Sequence, residues 1–121
     1  MALRYLFDEH LRGTLPQVVV RQARRYGFLV DVEQVSAPPD LPLGTLDAEL
    51  IRWAEANDWV LVSRDVRTLP VHLERHLATG GHSPGIFIAR GRLNVELAEW
   101  LVLMAFAANP EEYRDRVTFV P

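Results

Sequence analysis

The 121-residue chain contains no cysteine and no lysine. Without cysteine there is no disulfide framework, no thiolate metal site and no cysteine nucleophile, and the cytoplasm is the expected compartment. Without lysine the thirteen Lys/Arg positions are all arginine, so chemistry that needs a lysine side chain is excluded. Long apolar runs are missing too. The most apolar stretch, residues 97–108, carries Glu99 and spans about a dozen residues where a bilayer crossing takes about 20, so no membrane partner is expected. Acids arrive too early in residues 1–8 for a secretory signal. Positive charge is scarce as well: a net charge of −3 and a pI of about 5.8 argue against gripping nucleic acid through a diffuse basic field, while leaving room for a local arginine rim.

What is present is an ordinary globular composition, 49% hydrophobic and 24% charged, at a length that buries one core, so 1–121 is read as one domain. Residues 3–7 form a short apolar run ending at Asp8, expected as a strand buried on both faces. Thr14 can cap a helix with Pro16 in its first turn, and Leu15, Val18, Val19, Gln22, Ala23 and Tyr26 recur at helical spacing until Gly27. Residues 28–35 read as a second strand near an edge, and 36–44, with three prolines and a glycine, as a loop. An amphipathic helix over 46–58, through Leu46, Leu50, Ile51, Trp53, Ala54 and Asn57, leads straight into a strand at 59–63. A third helix within 69–79, a strand at 85–89, a long helix over 93–108 and a last strand at 117–120 complete the chain. This alternation predicts an α/β three-layer sandwich with a mainly parallel sheet of four to five strands, its functional edge at the carboxyl ends of the strands.

The acids fall at that edge. Asp8 and Glu9 follow the first strand, and Asp65 follows the third. Asp47 lies in the first turn of its helix, and Ile51 and Ala54 at i+4 and i+7 put it on the stripe that faces the sheet. Each alone has an ordinary role: turn former, partner of a helix N-terminus, or cap. Together, three carboxylates converging on one edge repel one another unless a cation joins them. Mg²⁺ or Mn²⁺ suits such a set, because it prefers oxygen ligands and accepts a phosphate in its shell. The implied chemistry is phosphodiester hydrolysis.

Asp47-Ala48-Glu49-Leu50-Ile51-Arg52-Trp53-Ala54, then Val60-Leu61-Val62-Ser63-Arg64-Asp65, resembles the second half of PIN-domain nucleases. The opening Leu6-Phe7-Asp8-Glu9-His10-Leu11 resembles the Leu-Asp-Glu-Asn-Leu start of a small PIN-like family of bacterial proteins, many similar to toxins of toxin–antitoxin pairs. The resemblance implies a PIN-like fold and a metal-dependent endoribonuclease with Asp8, Asp47 and Asp65 as catalytic and metal-binding acids, an RNA substrate and a small antitoxin partner. Two departures stand out. The fourth PIN acid has no clear counterpart: Glu9 and Glu49 are imperfect substitutes, Glu49 lying about 200° around the helix from Asp47. His10 replaces the usual asparagine. The departures favour a rival reading, a catalytically weak or inactive protein-binding module on the same fold.

Arg64, Arg67, Arg90 and Arg92 follow strand ends, and the first three are candidate phosphate contacts, with a solvated rim as the alternative. His72 and His76 have the i, i+4 spacing of a zinc helix but lack the glutamate after the first histidine, so a polar helix face is expected. Trp100, Leu101, Met104 and Phe106 lie on a helix apolar almost all round, read as a core helix that also contacts a second copy or an antitoxin. Receiver-type and haloacid-dehalogenase-like phosphotransfer domains also gather aspartates at strand ends. They use a lysine beside the phosphoryl group, and Asp8-Glu9-His10 lacks the Asp-x-Asp pattern of the phosphatases.

Overall fold

The structure, a computed structural model, describes residues 2–11, 14–93 and 95–121. Its elements run β1 (Tyr5–Phe7), α1 (Thr14–Arg25), β2 (Val32–Gln34), α2 (Asp47–Asn57), β3 (Val60–Ser63), α3 (Leu69–Ala78), β4 (Ile86–Ala89), α4 (Val95–Ala107), a 3₁₀ turn at Pro110–Glu112 and β5 (Val117–Val120). All five strands are parallel, in the order β2-β1-β3-β4-β5, with Tyr5 opposite both Val32 and Val60. The expected α/β sandwich is what forms. No helix among the described residues is long and apolar enough to cross a membrane.

Alternation along the strands builds the three layers. Tyr5, Phe7, Val60, Val62, Phe87 and Ala89 point to one side and pack under α1 and α4. Leu6, Leu61, Ile86 and Ile88 point to the other and pack under α2 and α3. Phe87 sits at the centre of the first layer, edge-on to Trp100 at 5.5 Å and to Tyr113 at 5.1 Å between ring centroids. The buried Tyr5 hydroxyl donates to the Leu101 carbonyl at 2.6 Å, tying β1 to α4, and burial pushes its ionisation well above the usual tyrosine range.

The helix faces determine the hand of each crossover. The chain steps one way from β1 to β2 with α1 on one face, then back across β1 to β3 and on to β4 with α2 and α3 on the other; these three connections share a hand. From β4 to β5 it keeps the same direction but carries α4 on the face of α1, so this crossover has the opposite hand, which is rare in parallel sheets. Right-handed crossovers are the general rule for parallel sheets, and the last connection departs from the hand that the other three share. The compensation is coverage: α4, with Leu97, Ala98, Leu101, Val102 and Ala105 buried, shares with α1 a face that α1 alone would leave partly bare.

Two further expectations change. The second strand is shorter than 28–35, because Phe28 belongs to the end of α1. Its N–H bonds Ala23 O at 2.8 Å and the Gly27 N–H bonds Arg24 O at 3.0 Å, a Schellman end that needs the positive φ of +79° glycine supplies. Tyr26, Leu46 and Asn57, placed on inner stripes by spacing, are exposed, since each lies at a helix end where the chain turns away from the sheet. Of the long helix expected over 93–108, Asn94 lies outside the described residues.

Candidate active site

Strand order reverses between β1 and β3, and the crevice beyond the carboxyl ends of such a pair is where ligands of open α/β sheets sit. Asp8, Glu9, Asp47 and Asp65 line one small pocket there, about 70 Å³, together with His10, Val35, Thr45 and Leu50. The three sequence-selected aspartates thus share one cavity, and Glu9 completes a set of four carboxylates. Glu49 is exposed and not part of it.

Asp8 leaves β1 directly into a turn. Its N–H still bonds Val62 O of β3 at 3.1 Å, and its carboxylate accepts the His10 N–H at 3.0 Å on Oδ1 and the Ser63 hydroxyl on Oδ2. With 8% of its surface exposed, Asp8 is the most enclosed of the acids. Burial pushes its carboxyl above the ordinary aspartate range, and the Ser63 and His10 bonds oppose this without reversing it.

Ser63, fully buried at the end of β3, works in both directions: while its hydroxyl donates to Asp8, its oxygen accepts the Asp65 N–H at 3.0 Å. One side chain therefore fixes the spacing of two acids on neighbouring strands. Asp65 in turn organises the start of α3, accepting the N–H groups of Arg67 at 3.0 Å and Thr68 at 2.9 Å on Oδ1 and the Thr68 hydroxyl on Oδ2. Burial raises its carboxyl, but the Thr68 hydroxyl and the backbone donors outweigh this and hold it below the ordinary range. The capping role weighed for Asp65 is real, and it coexists with a place in the pocket.

Asp47 arrives from the opposite wall at the first turn of α2, half-buried, with Leu50 and Ile51 anchoring the helix in the core. The helix N-terminus favours its negative charge. Its Oδ2 lies 3.1 Å from the Thr68 hydroxyl, which thus bridges Asp47 and Asp65. Glu9 Oε2 accepts the Gly44 N–H at 3.3 Å, closing the proline-rich loop over the pocket.

Neither Thr68 nor Thr45 stood out in the sequence. Thr68 lies three residues beyond Asp65 in an unremarkable turn, and only the fold brings it against Asp47. Ser63 was visible as part of Ser63-Arg64-Asp65, but its double role depends on β1 and β3 being neighbours.

The carboxylate oxygens of the pocket suit a hard divalent cation, with the His10 imidazole as the one ring-nitrogen group among the lining residues. Among the described residues no three His, Asp or Glu side chains converge to enclose an ion by themselves. An ion here would rest on one or two carboxylates and take its remaining ligands from solvent or substrate, as Mg²⁺ commonly does.

Of the arginines, Arg64 and Arg67 are exposed beside Asp65. The guanidinium of Arg90 lies 4.2 Å from the centre of the Phe119 ring on edge strand β5, the far side of the sheet from the β1–β3 crevice. His76 is not on a merely polar face. Its Nε2 is 2.8 Å from Glu55 Oε1 and 3.0 Å from the His82 carbonyl, both acceptors, so Nε2 carries a hydrogen. His82 Nδ1 lies 3.1 Å from Asp115. This network holds the ends of α2 and α3 to the turn before β5, on the edge opposite the acids. Comparisons with family models, curated proteins and solved structures each find no match to this chain.

Proposed function

We propose that the chain is a divalent-metal-dependent nuclease of PIN-like type, cleaving RNA phosphodiesters with Asp8, Asp47 and Asp65 as the acids of a Mg²⁺ or Mn²⁺ site, one or two of them direct ligands and the others acting through bound water, and Glu9 as the fourth carboxylate. The observation that carries this reading is the meeting of all four acids in one pocket at the β1–β3 switch point. Four carboxylates in about 70 Å³ suit a partly hydrated cation better than an organic ligand. The ion supplies Lewis acidity toward the phosphodiester. The protein's own part is positioning: Ser63 holds Asp8 and Asp65 in register, and Thr68 holds Asp65 to Asp47. Arg64 and Arg67, exposed on either side of Asp65 in the chain, are the candidate contacts for phosphate oxygens. Arg90 has a weaker claim because its guanidinium is stacked on Phe119.

In this reading the protein is the cytoplasmic toxin of a toxin–antitoxin pair. The support is the sequence resemblance together with an exposed apolar surface available to a small antitoxin or a second copy: Leu29 is 82% exposed, and Phe28 and Phe106 stack at 4.3 Å between centroids at the surface. The same surface favours the rival reading, a protein-binding module on an inactive fold. Cleavage of mixed single-stranded RNA with Mn²⁺ and with EDTA separates them. The nuclease reading expects cutting that needs metal and is lost in Asp8→Asn and Asp65→Asn; absent cutting in the wild type supports the module, and metal-independent cutting contradicts the metal-site reading.

A further inference from the structure

The acid pocket holds little beyond an ion and its waters, so the organic part of a substrate needs another surface. Of the cavities found in the described structure, one shares a wall with it. This groove, about 400 Å³, lies on the other side of the Asp8–Leu11 turn and is lined by His10, Leu11, Leu15, Val18, Leu93 and Val95. It exists because of the unusual last crossover: carrying α4 on the face of α1 brings the start of α4 against the start of α1, at the sheet edge where the acids sit.

Its chemistry is graded. Leu11 and Leu15 form a buried floor, while Leu93 and Val95 stand 40% and 54% exposed at the rim. The polar groups, the His10 imidazole and the Thr14 hydroxyl, belong to the β1–α1 side, and His10 is the wall shared with the acids. The His10 backbone N–H donates to Asp8, which fixes the stretch of backbone that carries the ring two residues from the proposed reacting centre. The volume is that of a small-molecule pocket. An apolar slot with an exposed imidazole at its mouth, adjoining a phosphodiester site, suits a flat aromatic ring.

We infer that this groove binds the nucleobase flanking the scissile phosphate of a single-stranded nucleic acid, with the base between the Leu93/Val95 rim and the floor and the His10 ring against its edge or face. The inference rests on the nuclease reading for the identity of the ligand. Base stacking on such surfaces is worth about 1–3 kcal/mol per base, or roughly 5- to 150-fold in affinity.

The test uses a single-stranded tetranucleotide with non-cleavable linkages and 2-aminopurine at one position, and its abasic counterpart, measured by fluorescence and competition with and without Ca²⁺. The wild type should bind the intact oligomer 5- to 150-fold more tightly than the abasic one. Val95→Glu and Leu93→Ser, at exposed positions that leave the core intact, should abolish that difference while leaving Mn²⁺ binding and melting temperature unchanged. Equal binding of intact and abasic oligomers by the wild type overturns the inference, as does undiminished discrimination in Val95→Glu. So does concentration-dependent self-association that Val95→Glu relieves with no base discrimination. The two readings fail separately: Mn²⁺ binding without base discrimination sinks the groove and spares the nuclease, whereas base discrimination without Mn²⁺ binding or cleavage does the reverse.

Discussion

The Thr68 hydroxyl lies 3.1 Å from Asp47 Oδ2, linking the first turn of α2 to the loop that carries Asp65. Because the same hydroxyl donates to Asp65, its single hydrogen serves two carboxylates. Thr68→Val should therefore let the two acids move apart, weakening Mn²⁺ binding about tenfold and costing roughly 1 kcal/mol of stability for the lost bonds. Thr68→Ser should restore both. Isothermal titration and thermal melts of the two variants check this, and a Thr68→Val protein with wild-type affinity would show that the bridge is incidental.

Removing the Ser63 hydroxyl should be costlier. Ser63 is fully buried and satisfies both Asp8 and the Asp65 N–H, so Ser63→Ala leaves an enclosed carboxylate without its side-chain donor. A loss of about 1–3 kcal/mol is expected in urea unfolding, with an unchanged m-value.

The pH dependence has a definite sign. Burial raises the Asp8 carboxyl in the folded state above its unfolded value, so the stability it contributes is present below the ordinary aspartate range and is lost as pH rises through the folded pKa. Asp8→Asn mimics the protonated form. In the absence of metal it should melt a few degrees higher than the wild type at pH 7, and the gap should close as pH falls toward 4. A gap that widens on acidification would mean that the folded state favours the charged carboxylate.

The opposite edge of the sheet titrates the other way. The His82 N–H and the His76 imidazole hold the Glu55 carboxyl below its ordinary range; Asp115 is also held low, where burial raises it but the Ser83 N–H and His82 prevail. Both contributions are present above the ordinary carboxylate range and are lost as pH falls through the lowered values. His76 also packs directly beneath Gly81, where a Cβ would lie 2.4 Å from Nε2. Gly81→Ala and Glu55→Gln should each lower the melting temperature at pH 7 while leaving metal-dependent cleavage per folded molecule unchanged, because this network lies at the far edge from the acids.

The order and type of the strands and α-helices were legible in the sequence because β1, β3 and β4 are buried apolar runs and α1, α2 and α3 each carry an apolar stripe. The three aspartates were legible because Asp8 and Asp65 end such runs and Asp47 interrupts one such stripe. What was not legible depended on pairings between distant segments. Phe28 looks like the start of a strand until Gly27 commits it to the end of α1. Thr68 looks like a turn residue until α2 and α3 are set side by side. The hand of the last crossover, and with it the groove at His10, is hidden because α4 is apolar almost all round and does not itself say which face of the sheet it covers.

The central claim is that the acid pocket is a divalent-cation site. Calorimetric titration of Mn²⁺ into the wild type and into Asp8→Asn, in the presence of a non-cleavable RNA, tests it most directly. Saturable binding by the wild type, lost or weakened at least tenfold in Asp8→Asn at unchanged fold, is the predicted result. Equal binding by both proteins, or none by the wild type, would contradict it.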